Sequence, residues 1–166
     1  AIDRVMMGPA KVSKKYTERE RHMVAVHETG HAIVGLKLKD ADMVQKVTII
    51  PRGDAGGYNL MTPREETFTQ SKRELESRIA GYLGGRVAEE VFFDDISTGA
   101  YNDIQQATRI ARAMVTNFGM SDLGPIQYDD DRGGNVFLGR DYQTNKSYSG
   151  EIAFEIDKEI RKIIEE

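Results

Sequence analysis

The pentapeptide His27-Glu28-Thr29-Gly30-His31 combines two imidazoles and a carboxylate at a spacing suited to metal chemistry. Residues four apart on an α-helix lie about 40° apart around its axis, so both histidines project from one face and can share a metal ion. Glu28 is too awkwardly placed to bind the same ion, but it can reach a water on that ion. The pattern predicts His27 and His31 as zinc ligands and Glu28 as a general base.

This set of residues predicts hydrolysis of a peptide bond. Zinc lowers the pKa of its bound water from about 15.7 towards about 7 and polarises a carbonyl oxygen. Glu28 would take the proton of that water, the resulting hydroxide would attack the carbonyl, and Glu28 would pass the proton to the leaving amine.

The site needs a third protein ligand, and the sequence limits its chemistry. There is no cysteine, so the ligand must supply nitrogen or oxygen. His22 precedes His27 by five residues and lies about 140° around the same helix, which excludes it. The ligand is therefore an acid from elsewhere, and the candidates are Asp103, Glu89 and Glu90.

Asp103 is favoured by the pattern around it. It shares a helical face with Ala107, Ile110 and Met114, so its carboxylate points towards the core, where it needs a positive partner. An acid in the first helical turn also has a purely structural explanation, because it interacts favourably with the helix dipole. The pattern alone therefore leaves the two glutamates, or another residue, as alternatives.

The elements that must position these residues are four helices and two strands. Capping boxes begin two of the helices, at Thr17 with Glu20 and at Ser71 with Glu74. The predicted helices are 17–38, 71–93, 102–118 and 149–164, and the predicted strands are 44–50 and 58–61. The fold class is mainly α with a small β-sheet, in which the His-Glu-x-x-His helix belongs to a zincin-type helical bundle.

Two regions need a separate interpretation. The second helix contains three glycines, Gly81, Gly84 and Gly85. Each destabilises a helix by about 0.5–1 kcal/mol relative to alanine, so their presence suggests a close helix crossing or a local break. Residues 122–148 are predicted to be mostly loop, with a short strand at 136–138, and Asp129–Asp131 are expected to be a solvated loop tip rather than a cation site.

Composition limits the classes of function. The chain has 166 residues, 39% hydrophobic and 30% charged, as expected for one soluble globular domain. Its net charge of −4, without a basic stripe, argues against nucleic acid as a partner. No apolar run approaches the roughly 20 residues of a membrane helix, no signal peptide is recognisable, and the start without methionine suggests a fragment.

Five motifs, taken in order, resemble the peptidase domain of the FtsH family. They are HETGH at 27–31, KVTIIPRG at 46–53, LGGRVAEEV at 83–91, STGAYNDI at 97–104 and VFLGR at 136–140. Members of that family are membrane-anchored, ATP-dependent zinc metalloproteases that form homohexamers. The resemblance implies that this domain degrades misassembled membrane proteins and some short-lived soluble proteins that an ATPase ring unfolds.

The resemblance also assigns residues and boundaries. It implies zinc bound by His27, His31 and Asp103, with Glu28 as the catalytic glutamate. Residues 1–10 resemble the junction from a missing AAA ATPase module, which would bind ATP and magnesium, and 11–166 the zinc peptidase domain. Missing N-terminal segments would anchor the protein to the membrane, with the peptidase on the cytoplasmic side if the source is bacterial.

The strand pair and its loop have an expected role in substrate binding. An extended substrate could add to an exposed edge near 47–50 or 58–61 and present its backbone to the metal. One departure from the family pattern concerns Gly56-Gly57, where family members commonly have Leu-Gly.

Two alternatives to catalysis remain at this point. The first is a structural zinc module, in which a fourth protein ligand closes the site and Glu28 is a surface acid. The second is an interaction domain that has lost catalysis and serves only ring assembly.

Overall fold

The computed structural model describes residues 16–51, 56–65, 67–128 and 148–166. Within these ranges it contains four α-helices, one short 3₁₀ turn and one pair of strands. The helices are α1 (Glu18–Lys37), α2 (Lys72–Phe93), α3 (Tyr101–Thr116) and α4 (Gly150–Glu165), and the strands are β1 (Met43–Thr48) and β2 (Tyr58–Thr62). The predicted mainly α fold with a small sheet is confirmed.

Both predicted capping boxes begin their helices. Thr17 Oγ1 accepts a hydrogen bond from Glu20 N at 3.2 Å, and Glu20 Oε2 accepts one from Thr17 N at 2.9 Å. Ser71 and Glu74 make the same reciprocal pair at 3.3 and 2.6 Å. These bonds pair amide groups that have no partner within the helix, which fixes where α1 and α2 start.

The remaining boundaries differ slightly from the predictions. Helix α3 begins one residue earlier than expected, directly after a 3₁₀ turn at Thr98–Ala100, and it ends at Thr116. The predicted strand at 136–138 and the predicted acidic loop tip at 129–131 lie outside the described residues.

Strands β1 and β2 form an antiparallel ladder in which Met43 pairs with Thr62 and Thr48 with Tyr58. The register shifts between Val44 and Lys46, so one residue of β1 bulges out of the ladder. This hairpin contacts α1.

Helices α1 and α2 cross at two glycines. A Cβ atom at Gly30 would lie 2.3 Å from the Gly84 carbonyl oxygen, and one at Gly84 would lie 3.0 Å from the Gly30 oxygen. Any side chain at Gly30 would therefore push the two backbones apart. The close helix crossing is confirmed, and α2 continues without a break.

Helix α2 carries an apolar residue at every fourth position, and this stripe is buried only at its start; it consists of Leu75, Ile79, Leu83, Val87 and Val91. Leu75 and Ile79 are 5% and 3% exposed, whereas Val87 and Val91 are 52% and 74% exposed. Steps of four residues advance about 40° around a helix, so the stripe turns away from α1 over four steps. Gly84, Gly85 and Glu89 are the buried residues of the second half of α2.

The described residues divide into two compact units, with the division after Ala107. The first contains α1, the hairpin, α2 and the start of α3. In the second, Met114 and Ile156 are buried, and the carboxylate of Glu159 accepts a hydrogen bond from Asp122 N at 3.1 Å.

Among the helices in the described ranges, none has the length and apolar character needed to span a bilayer.

Candidate metal centre

Helix α1 carries three buried polar side chains within five residues. His27, Glu28 and His31 are 7%, 6% and 7% exposed. Helical spacing places the two imidazoles one turn apart, and their ring centroids are 4.7 Å apart. Burial of this much polar surface requires partners from other elements.

Asp103, in the first turn of α3, lies against both histidines. Its Oδ2 atom is 3.3 Å from His27 Nε2 and 3.5 Å from His31 Nε2, and the two Nε2 atoms are 3.0 Å apart. These three residues form a group of side chains able to hold a metal ion, with ligand atoms within 4.8 Å of one another. The fold therefore brings Asp103 to the two histidines, although it follows His27 by 76 positions in the sequence.

The far ring nitrogens show which tautomer each histidine adopts. His27 Nδ1 is 2.7 Å from Glu89 Oε1, and His31 Nδ1 is 2.7 Å from the Gly81 carbonyl oxygen. Both partners are acceptors, so each Nδ1 carries a proton and donates it. In neutral imidazoles the lone pairs then lie on the Nε2 atoms, directed at each other and at the Asp103 carboxylate. Three acceptors facing one another fit a bound divalent cation.

Glu89 is part of this arrangement without belonging to the ligand group. It is 1% exposed, and it also accepts hydrogen bonds from Ser97 N at 2.7 Å and Ser97 Oγ at 3.0 Å. Its contact is with the ring nitrogen of His27 that faces away from Asp103. Its neighbour Glu90 is exposed, and His22 lies on the surface with its ring 5.4 Å from that of Phe93.

A glycine makes room for the imidazoles on the α2 side. A Cβ atom at Gly85 would lie 2.5 Å from His27 Nε2 and 2.6 Å from His31 Nε2. Gly85 and Glu89 are four residues apart on one helical face, as are Gly81 and Gly85. The glycines are visible in the sequence, but no local pattern connects their helical face with the histidines.

The electrostatics of the group favour positive charge. Burial lowers the pKa of His27, but the hydrogen bonds that its protonated ring donates to Asp103 and Glu89 outweigh this effect, and the pKa is raised overall. Burial also lowers the pKa of His31, but the bonds of its protonated ring to Asp103 and the Gly81 carbonyl outweigh this effect, so this pKa is raised as well. Burial raises the pKa of Asp103, but the two imidazoles have the larger, opposite effect. The pKa is therefore lowered overall, and the carboxylate remains ionised.

Glu28 projects beside the group and contacts the start of β2. Asn59 Nδ2 donates to Glu28 Oε2 at 2.6 Å and to the Glu28 main-chain oxygen at 3.0 Å. A Cβ atom at Gly57 would lie 2.9 Å from Glu28 Oε1. Burial raises the pKa of the Glu28 carboxyl, and the nearby histidines and Asn59 oppose this only in part.

A groove of about 1060 Å³ runs past these side chains. Its walls come from α1, from α2, from β2 and from residues 97–103. Tyr16, Arg78 and Tyr101 line it, and so do the site residues His27, Glu28, His31, Asn59, Glu89 and Asp103. The metal-binding group and Glu28 therefore line the same groove.

Comparison with known proteins gives one family and several relatives. The family described as peptidase family M41 matches residues 14–166. Proteins called "ATP-dependent zinc metalloprotease FtsH" from Acholeplasma laidlawii and Bacillus subtilis are 61% and 58% identical over all of this chain, which covers 26% of each. "ATP-dependent zinc metalloprotease FtsH 2" of Phytoplasma mali is 59% identical over 99% of the chain, or 22% of that protein. The chain thus spans about a quarter of the length of these curated relatives.

Proposed function

The chain belongs to peptidase family M41, and we propose that it is the zinc metalloendopeptidase domain of an ATP-dependent protease. One observation carries the proposal. The lone pairs of His27 and His31 converge with the Asp103 carboxylate at one point of the groove, next to the carboxylate of Glu28.

In this proposal His27, His31 and Asp103 are the protein ligands of one zinc ion. Two imidazole nitrogens and one carboxylate oxygen form a donor set typical of catalytic zinc sites, which keep a further position for water or substrate. Glu89 and the Gly81 carbonyl hold the two rings in the binding tautomer. A structural zinc site would need a fourth protein ligand, and the ligand group of the described residues has three.

Glu28 is the general base of the proposed reaction. When bound, zinc supplies Lewis acidity, which makes a water more acidic and polarises the substrate carbonyl. The Glu28 carboxylate accepts a proton from the attacking water and returns it to the leaving nitrogen as the peptide bond breaks. Its burial and its fixed position beside the ligand group suit both transfers.

We propose that the substrate binds as an extended chain along the hairpin, near 47–50 or 58–61. Gly57, directly before β2, and Asn59, within it, contact Glu28, so a chain lying along this strand passes close to the base. Main-chain hydrogen bonds to a strand edge do not depend on side chains. Cleavage should therefore have low sequence selectivity.

The names of the relatives support a proposal for the whole protein. A longer chain would supply the ATPase module, with ATP and magnesium bound there, and membrane anchoring. Residues 1–10 would be the junction from that module, and 11–166 the peptidase domain. The assembly would be a homohexamer with the peptidase on the cytoplasmic side in a bacterium, and it would degrade misassembled membrane proteins and short-lived soluble proteins.

Glu28→Gln tests the catalytic proposal. We expect cleavage of an unfolded protein such as casein to fall at least about 100-fold, because a general base contributes roughly 10²–10⁴-fold. Bound zinc, measured by atomic absorption, should stay near one per chain. Glu90→Gln, an exposed acid that contacts none of the ligand residues, is the matched control. Undiminished cleavage by Glu28→Gln would favour a structural zinc site.

The same zinc measurement tests the ligand set. Asp103→Ala should lose most of its bound zinc at micromolar free zinc. Full zinc occupancy in Asp103→Ala would overturn this assignment, whatever the cleavage rate.

A further inference from the structure

Asn59 makes two hydrogen bonds to the same residue of another element. Its Nδ2 atom donates one proton to Glu28 Oε2 at 2.6 Å and the other to the main-chain oxygen of Glu28 at 3.0 Å. A primary amide has two N–H donors, and both are used here. The two bonds connect β2 to α1 at one position and fix the Glu28 side chain relative to its own backbone.

The amide oxygen of Asn59 shows that this contact sets the orientation of the side chain. Among the residues that the structure describes, none gives the buried Oδ1 a hydrogen-bond partner, although leaving a buried acceptor unpaired is unfavourable. Rotating the amide by 180° would place Oδ1 against the carboxylate oxygen and would remove both donors from Glu28. The amide therefore adopts the orientation in which both N–H groups bind Glu28, although Oδ1 is left without a described partner in this orientation.

The other side of the carboxylate is limited by Gly57. A Cβ atom at this position would lie 2.9 Å from both Cγ and Oε1 of Glu28, and 2.6 Å from the main-chain oxygen of Thr48. Glu28 therefore packs directly on the backbone of Gly57 while Asn59 holds its second oxygen. The cross-strand pairing of Asn59 with Val47 fixes the position of Asn59 in the hairpin.

From these contacts we infer that Asn59 is a positioning residue for the general base Glu28. The inference rests on the proposed function, since it gives Glu28 the role of base. Displacing a reacting group by about 1 Å can reduce a rate by about 100-fold, so an amide that fixes the carboxylate affects turnover without touching the substrate. The hairpin proposed to receive the substrate is then also the element that aligns the base.

Kinetics on a short unstructured fluorogenic peptide tests the inference. We expect Asn59→Ala to lower kcat of the zinc-loaded protein about 10- to 100-fold, with KM changed less than about threefold and zinc content unchanged. Asn59→Asp keeps the size of the side chain but replaces the N–H donors by a second carboxylate. Its kcat should be no higher than that of Asn59→Ala. The control is Gln45→Ala, which removes a side-chain bond to Thr62 in the same hairpin and should keep its kcat.

A measurement without turnover accompanies the kinetics. In metal-free protein, the side-chain amide protons of Asn59 should give separate, slowly exchanging NMR signals, and Glu28→Gln should shift them while Gln45→Ala should not. Unshifted signals in Glu28→Gln, or a wild-type kcat in Asn59→Ala, would overturn the inference. If Glu28→Gln keeps full activity, the proposed function itself fails, and the two failures can be told apart.

Discussion

At 1% exposure, Glu89 accepts hydrogen bonds from His27 Nδ1 and from the backbone and hydroxyl of Ser97. The bond to His27 determines which ring nitrogen faces Asp103. Without an acceptor at this point, the imidazole could turn or carry its proton on Nε2, and it would then present no lone pair to a metal. Glu89 is thus expected to control zinc affinity without binding zinc.

Glu89→Gln should weaken zinc binding about 10- to 100-fold, because the amide keeps the size of the side chain but is a weaker, uncharged acceptor. The dissociation constant can be measured by competition with a chromogenic chelator. Glu90→Gln changes the same charge at the adjacent, exposed position and should bind zinc as the wild type does. Equal affinities of the two variants would contradict this role for Glu89.

For individual residues, the sequence predicts contacts that follow from local spacing, but it does not predict partners from distant elements. His27, Glu28 and His31 lie on one helix, so the helical repeat alone predicts that the two imidazoles meet. Asp103 was one of several candidates until the family resemblance singled it out. The contacts of Glu89 with His27 and of Asn59 with Glu28 join positions 62 and 31 residues apart, and no local pattern encodes them.

Among the elements, α2 concentrates the geometric constraints of the site. Gly84 allows the close crossing with α1, Gly85 leaves space for the imidazoles, and the Gly81 carbonyl accepts a bond from His31. A Cβ atom at Gly81, in contrast, would meet nothing within 4 Å. Three glycines that look alike in the sequence therefore differ in what a side chain at each would do.

Replacing Gly81 and Gly85 by alanine should have opposite effects on the stability of the protein. Gly81→Ala is expected to raise the free energy of unfolding by about 0.5–1 kcal/mol, since alanine is the better helix former and the position has room. Gly85→Ala should lower it by about 1–3 kcal/mol and abolish tight zinc binding, because the methyl group would occupy the space of the two Nε2 atoms. Urea unfolding measures the free energy of unfolding of each variant, and zinc titration measures its affinity for zinc. Destabilisation by Gly81→Ala would show that the helix face at this position is not free.

Element boundaries were predictable where the signal is local. The two capping boxes gave the starts of α1 and α2 because both partners lie three residues apart. The exposure of Val87 and Val91 was not readable from their four-residue spacing. Their exposure depends on how far α1 packs along α2 beyond the crossing at Gly30 and Gly84.

For the molecule as a whole, the proposed ligands connect α1 with the start of α3. The unfolded chain does not hold Asp103 next to the two histidines, so it cannot bind zinc with comparable affinity. A ligand that binds only the folded state stabilises it by RT ln(1 + [L]/Kd), which is about 4 kcal/mol at a thousandfold excess over Kd. Folding of the first unit and zinc binding should therefore be thermodynamically linked.

Removal of zinc should accordingly lower the thermal midpoint of the wild-type protein, and adding zinc back should restore it. We expect the midpoint, followed by circular dichroism at 222 nm, to rise with free zinc in the wild type and in Glu28→Gln, whose ligands are intact. In Asp103→Ala most of that rise should be lost, because the metal would keep only the two histidines of α1 and would no longer link that helix to α3. An equal rise in Asp103→Ala would show that Asp103 does not contribute to binding, whereas no rise in any of the three proteins would mean that the converging lone pairs do not hold zinc.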